Sequence, residues 1–113
     1  MHLKIDVKNE NGISFVIPKG EIDVATQGQL KEAVSELIVG GDVNLVIDLT
    51  EVEFIDSTGL GALISARRKA HAFKGSFAIV CTNPNMLRLF SITNLDKVFA
   101  IHDSREDVLT ATV

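Results

Sequence analysis

The chain has 113 residues, 46% of them apolar and 23% charged, which predicts one globular domain spanning residues 1–113. Its 15 acidic and 11 basic residues give a formal net charge of −4, which disfavours nucleic acid as a partner. A single cysteine, Cys81, excludes an intramolecular disulfide and favours a reducing, cytoplasmic location.

The first predicted elements are two strands joined by a tight turn. Leu3, Ile5 and Val7 alternate with polar residues, which is typical of a half-buried strand and not of a signal peptide. A turn at residues 9–12 leads to a second strand over residues 13–18, which we expect to end at Pro18–Gly20. The two strands predict an antiparallel hairpin at one edge of a sheet. No apolar run in the chain approaches the ~18 residues that would span a bilayer, so no membrane insertion is expected.

The middle of the chain predicts a helix, a central strand and a second helix. Apolar residues recur at helical spacing up to Ile38, and Gly40–Gly41 supply the stop signal. Residues 43–49 form a nearly continuous apolar run, which predicts a central strand covered on both faces. The second helix is predicted from Ser57 to about residue 74, with a core-facing stripe of mostly small residues: Gly59, Ala62, Leu63, Ala66, Ala70 and Phe73.

The last third of the chain repeats the strand and helix pattern. A strand over residues 77–81 precedes a short helix with Asn83 as N-cap and Pro84 as its first residue, reaching about residue 93. A strand over residues 98–101 and a terminal helix opened by Ser104 and Asp107 follow. The predicted fold class is therefore α/β: a mixed, mostly parallel sheet with an antiparallel edge hairpin, packed with about four helices.

The start of the second helix carries most of the functional information. Ser57 is predicted as its N-cap, and in the plainer interpretation it only caps the helix while Gly59 and Gly61 allow close packing. In the other interpretation Ser57 is a switch, because a phosphate there would add about −1.5 to −2 charges at the positive end of the helix dipole and leave the fold intact. Thr58 offers a second hydroxyl beside it.

The sequence gives little support to catalysis or to a cofactor. The surroundings of Ser57 do not match G-x-S-x-G, and no histidine is placed next to it by sequence. Gly59 and Gly61 lack the third glycine of a dinucleotide loop, and no other phosphate loop is present. Asp48 lacks the paired acids with which a receiver domain binds magnesium. We predict that the protein is not an enzyme and needs no cofactor or metal.

Four segments together resemble the STAS domain family, and within it the stand-alone anti-sigma factor antagonists. GEIDVAT at residues 20–26 resembles the family's Gly-Glu-hydrophobic-Asp segment, and FIDSTGLG at residues 54–61 resembles its Asp-Ser-[Ser/Thr]-Gly-Leu-Gly signature. Residues 46–49 resemble its central strand, and residues 94–99 resemble the lead-in to its last strand. The resemblance covers nearly the whole chain.

The resemblance implies a partner-switching function. The unphosphorylated protein would bind an anti-sigma factor, itself a serine kinase that uses ATP, and so release a sigma factor. Phosphorylation on Ser57, or less favourably on Thr58, would switch it off, and a metal-dependent serine phosphatase would restore it. The expected partner-binding residues are Asp23, Asp56, Ser57, Thr58, Gly59, Leu60, Gly61 and Ile64.

Several of these assignments have alternatives. Asp23 is equally well explained as a cap of the first helix, and Leu60 and Ile64 either face a partner or are covered by the neighbouring short helix. The alternative function is a STAS subunit that serves as a structural or interaction module in a transport or stressosome-like assembly. A small-molecule or nucleotide binder would rest on fold analogy alone.

Overall fold

The computed structural model describes residues 3–111. Outside the described residues lie Met1, His2, Thr112 and Val113. These are the two ends of the predicted 1–113 domain, and the first two also begin the segment that was assessed as a signal peptide. The described elements, in chain order, are β1 (Lys4–Glu10), β2 (Ile13–Ile22), α1 (Gln27–Val39), β3 (Asn44–Asp48), β4 (Val52–Ile55), α2 (Ser57–Ala72), β5 (Ser76–Val80), α3 (Pro84–Ile92), a 3-10 helix (Leu95–Lys97), β6 (Ala100–His102) and α4 (Arg105–Ala111).

The strands form one mixed sheet, as the sequence predicts. The order is β1-β2-β3-β5-β6, and β4 pairs with β2 beside β3. The β1–β2 hairpin is antiparallel, with Lys4 opposite Lys19 and Glu10 opposite Ile13, and the other pairings are parallel. The predicted α/β class, edge hairpin and central apolar strand are confirmed.

The two faces of the sheet are covered unequally. On one face α1, α2 and α3 pack on a large cluster that includes Leu30, Leu63 and Phe90. On the other face a smaller cluster around Phe15 and Val46 is closed by Val108 of α4. The central strand β3 therefore contributes buried side chains to both clusters, as its nearly continuous apolar run predicts.

The second strand does not end at the proline. β2 continues through Pro18 and Gly20 to Ile22 because it changes partner along its length: residues 14–16 pair with β3 and residues 20–22 pair with β4. Pro18 pairs with neither of these two strands, so its missing N–H breaks no bond on that side. Gly20 has a φ of +122° next to an irregularity in the register, a conformation that glycine adopts easily.

A short strand, β4, was missed, and two further details of the prediction are wrong. Residues 52–55 alternate apolar and polar over only three positions before Ile55, which is too short a run to predict a strand, and the structure leaves both Glu53 and Phe54 exposed. Phe73 was placed in the core stripe, but it follows the last residue of α2 and is 57% exposed. The last strand begins two residues later than predicted, at Ala100, because residues 95–97 form the 3-10 helix.

Both caps predicted near the end of the chain are present. The Asn83 side chain accepts hydrogen bonds from the backbone N–H groups of Asn85 at 2.9 Å and Met86 at 3.2 Å. The Ser104 hydroxyl oxygen accepts one from the backbone N–H of Asp107 at 3.0 Å. These side chains fix where α3 and α4 begin.

Candidate functional site

The candidate site lies where two parallel strands end side by side. Ile22 of β2 is in register with Ile55 of β4, and the backbone N–H of Asp56 donates to the Ile22 carbonyl at 3.2 Å. Asp23 and Asp56, the next residues along the two strands, therefore leave the sheet at the same edge. The structure thus brings together Asp23 and Asp56, two of the expected partner-binding residues.

Asp56, and not Ser57, is the N-cap of α2. Its Oδ1 accepts hydrogen bonds from the backbone N–H of Thr58 at 2.9 Å and of Gly59 at 3.0 Å. Ser57 is instead the first residue of the helix. The predicted cap is therefore wrong by one residue. Aspartate and serine cap equally well, so the sequence alone does not decide which of the two neighbours is the cap.

The same hydrogen bonds favour the ionised form of the Asp56 carboxylate. The hydrogen bond from the Thr58 hydroxyl is the main cause that lowers the pKa of Asp56 below its ordinary value, followed by the N–H of Gly59. The N–H groups of Thr58 and Val24 lower this pKa further. The ionised carboxylate therefore stabilises the first turn of α2.

The two candidate hydroxyls differ in how they are held. Both Ser57 and Thr58 are exposed. The Thr58 hydroxyl donates to Asp56 Oδ1 at 2.6 Å, whereas the Ser57 side chain has no hydrogen bond to any part of the chain between residues 3 and 111. The Ser57 hydroxyl can therefore be modified without breaking a hydrogen bond of the folded protein.

Asp23 orders its own loop and is not the N-cap of α1. Its Oδ1 accepts hydrogen bonds from the backbone N–H groups of Ala25 at 2.9 Å and Thr26 at 3.2 Å. Thr26 is the residue at the cap position, and its hydroxyl donates to the Glu21 carbonyl at 2.7 Å. The alternative of Asp23 as a helix cap is thus replaced by a turn that holds a half-buried carboxylate at the rim.

The remaining predicted contact residues divide into buried and accessible ones. Leu60 is only 6% exposed and belongs to the main core, which contradicts its placement on a partner-facing surface. Gly59 is buried, and a Cβ there would lie 2.5 Å from Ile55 Cγ1 and 2.7 Å from the Ile22 carbonyl oxygen. Gly61 is exposed and Ile64 is half-buried against the core. Gly61 and part of Ile64 are the accessible members of this group.

A groove beside the site was not foreseen from the sequence. It has a volume of about 260 Å³ and lies between β4 and the start of α3. Phe54, Ile55, Met86 and Leu89 give it apolar walls. The groove escaped the sequence analysis because β4, which forms one side of it, was not predicted.

Two other candidate groups are committed to the fold. Asp48, which was compared above with the aspartate of a receiver domain, is 3% exposed. It accepts hydrogen bonds from the backbone N–H and the hydroxyl of Thr50, and its Oδ2 lies 3.3 Å from Arg105 Nε. Cys81 is buried, and burial raises the pKa of its thiol. Among residues 3–111 no three His, Cys, Asp or Glu side chains are grouped as a metal site, and no helix is both long and apolar enough to cross a membrane.

Comparison with known proteins identifies the family of this chain. The STAS domain model matches residues 4–108. The chain belongs to the STAS domain family. It is 32% identical over 108 residues to an anti-sigma-F factor antagonist of Mycobacterium tuberculosis, a match that covers 96% of this chain and 88% of that protein. It is 36% identical over 107 residues to the anti-sigma-B factor antagonist of Bacillus subtilis, covering 94% of this chain and 96% of that one.

Solved structures of STAS domain proteins match the fold over nearly the whole chain. An anti-sigma factor antagonist from Mycobacterium paratuberculosis superposes with a TM-score of 0.87 at 35% identity, covering 96% of this chain and 92% of that one. The Bacillus cell fate determinant SpoIIAA in its phosphorylated form has a TM-score of 0.74 at 18% identity, covering 97% of this chain and all of that one. At that identity the likeness concerns the fold alone. The family resemblance found in the sequence is confirmed.

Proposed function

We propose that this STAS domain protein is an anti-sigma factor antagonist switched by phosphorylation on Ser57. In its unphosphorylated form it binds an anti-sigma factor that is also a serine kinase, and the sigma factor is released. Phosphate on Ser57 ends that binding, and a serine phosphatase restores it. The names of its relatives from Mycobacterium tuberculosis and Bacillus subtilis support the antagonist role.

One observation carries the choice of Ser57. Its hydroxyl is exposed and makes no hydrogen bond within residues 3–111, while the neighbouring Thr58 hydroxyl is bound to Asp56. Phosphorylation of Thr58 would first require its hydroxyl to give up the hydrogen bond to Asp56, the N-cap of α2. Ser57 therefore remains the preferred phosphorylation site and Thr58 the lesser one.

The charge at this edge explains how a phosphate would act. The two segments around it, residues 20–30 and 50–66, contain no lysine or arginine and four acidic residues without an ion pair within residues 3–111: Glu21, Asp23, Glu53 and Asp56. A fifth acidic residue, Glu51, lies 3.8 Å from Lys19. A phosphate adds about −1.5 to −2 further charges, which the N–H groups of the helix start offset in part. A partner surface that accepts the bare hydroxyl would have to bury this dianion without a counter-charge. An unpaired buried charge costs several kcal/mol, which lowers the affinity by roughly a thousandfold.

The role is that of a ligand and a kinase substrate, not of an enzyme. In this proposal residues 1–113 form a single STAS domain that acts in the bacterial cytoplasm. The accessible part of its partner-binding surface consists of Asp23, Asp56, Ser57, Thr58, Gly61 and Ile64. Gly59 and Leu60 support that surface from below, since both are buried.

The test is phosphorylation by candidate partners. The purified protein is incubated with ATP and each anti-sigma factor kinase of its own genome, and the product is measured by intact mass and peptide mapping. We expect a single phosphate on Ser57, no phosphate in Ser57→Ala, and an unchanged amount in Thr58→Ala. If no kinase of a panel that phosphorylates a known antagonist modifies the protein, the antagonist role is wrong and the structural-subunit alternative takes its place.

A binding measurement tests the switch itself. We expect Ser57→Ala to bind the anti-sigma factor with the affinity of the wild type and Ser57→Asp to bind it at least tenfold more weakly in isothermal titration calorimetry, because a carboxylate carries part of the phosphate's charge. Ser91→Asp, the same change at an exposed position of α3, is the matched control and should bind normally. Equal affinities of Ser57→Asp and Ser91→Asp would remove the switch from the proposal.

A further inference from the structure

The groove between β4 and α3 continues the proposed partner surface. Ile55, at its floor, is two residues from Ser57, so their Cα atoms are at most about 7 Å apart. Any partner that covers the Ser57 hydroxyl therefore also reaches the groove. The inference below rests on the proposed antagonist function and gives that function a second contact.

The size of the groove favours one side chain as its occupant. Its volume of about 260 Å³ is below the range of about 300–1,000 Å³ that is typical of small-molecule sites. Met86 and Leu89 of α3 face Phe54 and Ile55 across it, and a methionine side chain adapts its shape to what it meets. An apolar side chain from a partner would be the best complement.

Exposed apolar surface extends from the groove around the site. Phe54 is 50% exposed and Val24 is 74% exposed, and the N–H of Val24 acts on the Asp56 carboxylate beside Ser57. Exposed apolar groups rimmed by polar residues are typical of surfaces that bind proteins. The apolar part of the contact therefore extends beyond the groove.

The charge of the groove indicates what accompanies the apolar side chain. Glu53 lies on its polar wall, with Asn83 and Asn85. No lysine or arginine lies in residues 50–66, and the one cation of α3 is Arg88. The Asn83 oxygen already accepts the N–H groups of the α3 start, so the Glu53 carboxylate is the charged acceptor of the groove. A lysine or arginine of the partner is its complementary group.

We propose that the groove between β4 and α3 holds an apolar side chain of the anti-sigma factor, with an adjacent lysine or arginine of that protein paired to Glu53. This contact is separate from the Ser57 hydroxyl. It adds affinity and selects among anti-sigma factors, while Ser57 decides whether binding occurs.

The test compares two groove variants with matched surface controls. Glu53→Lys and Phe54→Ala change exposed side chains of the groove, whereas Glu32→Lys on α1 and Phe73→Ala after α2 make the same changes elsewhere on the surface. Affinity for the anti-sigma factor that phosphorylates Ser57 is measured by calorimetry. We expect each groove variant to bind about tenfold more weakly and each control to bind like the wild type. Added salt should weaken binding of the wild type more than that of Glu53→Gln.

A second readout does not need the partner. Backbone amide NMR spectra of the wild type are recorded with two capped dipeptides, leucine followed by arginine and leucine followed by glutamate. We expect the arginine dipeptide to shift amides of residues 53–55 and 86–89, and the glutamate dipeptide or the Glu53→Lys variant to abolish these shifts. Equal affinities of groove variants and controls, or the absence of groove shifts with the arginine dipeptide, would overturn the inference. If Ser57→Asp still weakens binding in the same assays, the proposed function stands without the groove.

Discussion

At the scale of single residues, Asp56 holds the first turn of α2 with one oxygen atom. Its Oδ1 accepts from two backbone N–H groups and from the Thr58 hydroxyl. The two N–H groups have no hydrogen-bond acceptor within the helix, because they belong to its first turn. Asp56 therefore stabilises the first turn of α2, and the Ser57 side chain is not needed for that purpose.

This difference predicts unequal effects of two neighbouring substitutions on stability. Asp56→Ala should lower the melting temperature by on the order of 5 °C, since it removes the acceptor of the N-terminal N–H groups. Ser57→Ala should change it by much less, because the Ser57 side chain makes no hydrogen bond within residues 3–111. Thermal unfolding followed by circular dichroism measures both. A larger loss in Ser57→Ala than in Asp56→Ala would contradict the assignment of the cap.

The ionisation of Asp56 predicts how this effect depends on pH. The pKa of Asp56 is lower in the folded protein than its ordinary value of 3.8, so the charge stabilises the fold above that value, and the contribution is lost as pH falls through the folded-state pKa. Asp56→Asn keeps an acceptor for the cap but has no charge. We expect the difference in melting temperature between the wild type and Asp56→Asn to be constant between pH 5 and pH 7 and to shrink below about pH 4. A difference that does not change with pH would show that the charge is not involved.

The sequence could locate the site to within a residue but could not assign the roles inside it. Asp56 and Ser57 are both good caps, and one residue of shift in the helix start exchanges their roles. Thr58 and Ser57 are equivalent hydroxyls until the bond from Thr58 to Asp56 is seen. Leu60 lies outside the small-residue stripe, yet it is buried, because the core extends around that side of α2.

At the scale of elements, α2 lies so close to β2 and β4 that there is no room for a side chain at Gly59. A Cβ on Gly59 would lie 2.7 Å from the Ile22 carbonyl oxygen, whereas a Cβ on Gly61 would meet nothing within 4 Å. The Asp-Ser-Thr-Gly-Leu-Gly segment therefore combines a packing glycine and a surface glycine.

The two glycines predict opposite effects of the same substitution. Gly59→Ala should lower the free energy of unfolding by about 1–3 kcal/mol, because the backbone must shift to admit the methyl group. Gly61→Ala should raise it by about 0.5–1 kcal/mol, because alanine favours the helix and nothing crowds it. Chemical denaturation of both variants measures these changes. Stabilisation by Gly59→Ala would show that α2 does not pack this closely.

The elements missed by the sequence are those that depend on distant neighbours. β4 has only four residues and exposes Glu53 and Phe54 in succession, so its own sequence does not decide its structure. It is a strand because residues 20–22 of β2 pair with it. β2 crosses Pro18 for the same reason, since its partner changes there from β3 to β4. Long periodic segments such as α1 were predictable, because their own burial pattern decides their structure.

At the scale of the whole molecule, the two faces of the sheet depend on different numbers of helices. Three helices pack on the face that carries the main core, while within residues 3–111 the other face is closed by α4 alone. α4 has seven residues and one buried side chain, Val108. A helix this short needs tertiary contacts to persist. The ion pair between Arg105 and the buried Asp48 supplies one, at the end of the sheet where the candidate site also lies.

This arrangement predicts that the Asp48–Arg105 pair contributes measurably to stability. Arg105→Gln should lower the free energy of unfolding by about 1–2 kcal/mol, because it leaves a buried carboxylate with Thr50 as its remaining partner. Lys19→Gln, which removes an exposed ion pair with Asp6, is the control and should have a much smaller effect. A double-mutant cycle with Asp48→Asn isolates the pair, and hydrogen exchange should show faster opening of residues 105–111 in Arg105→Gln alone. If the cycle gave no coupling, the packing of Val108 would be what holds α4 on the sheet.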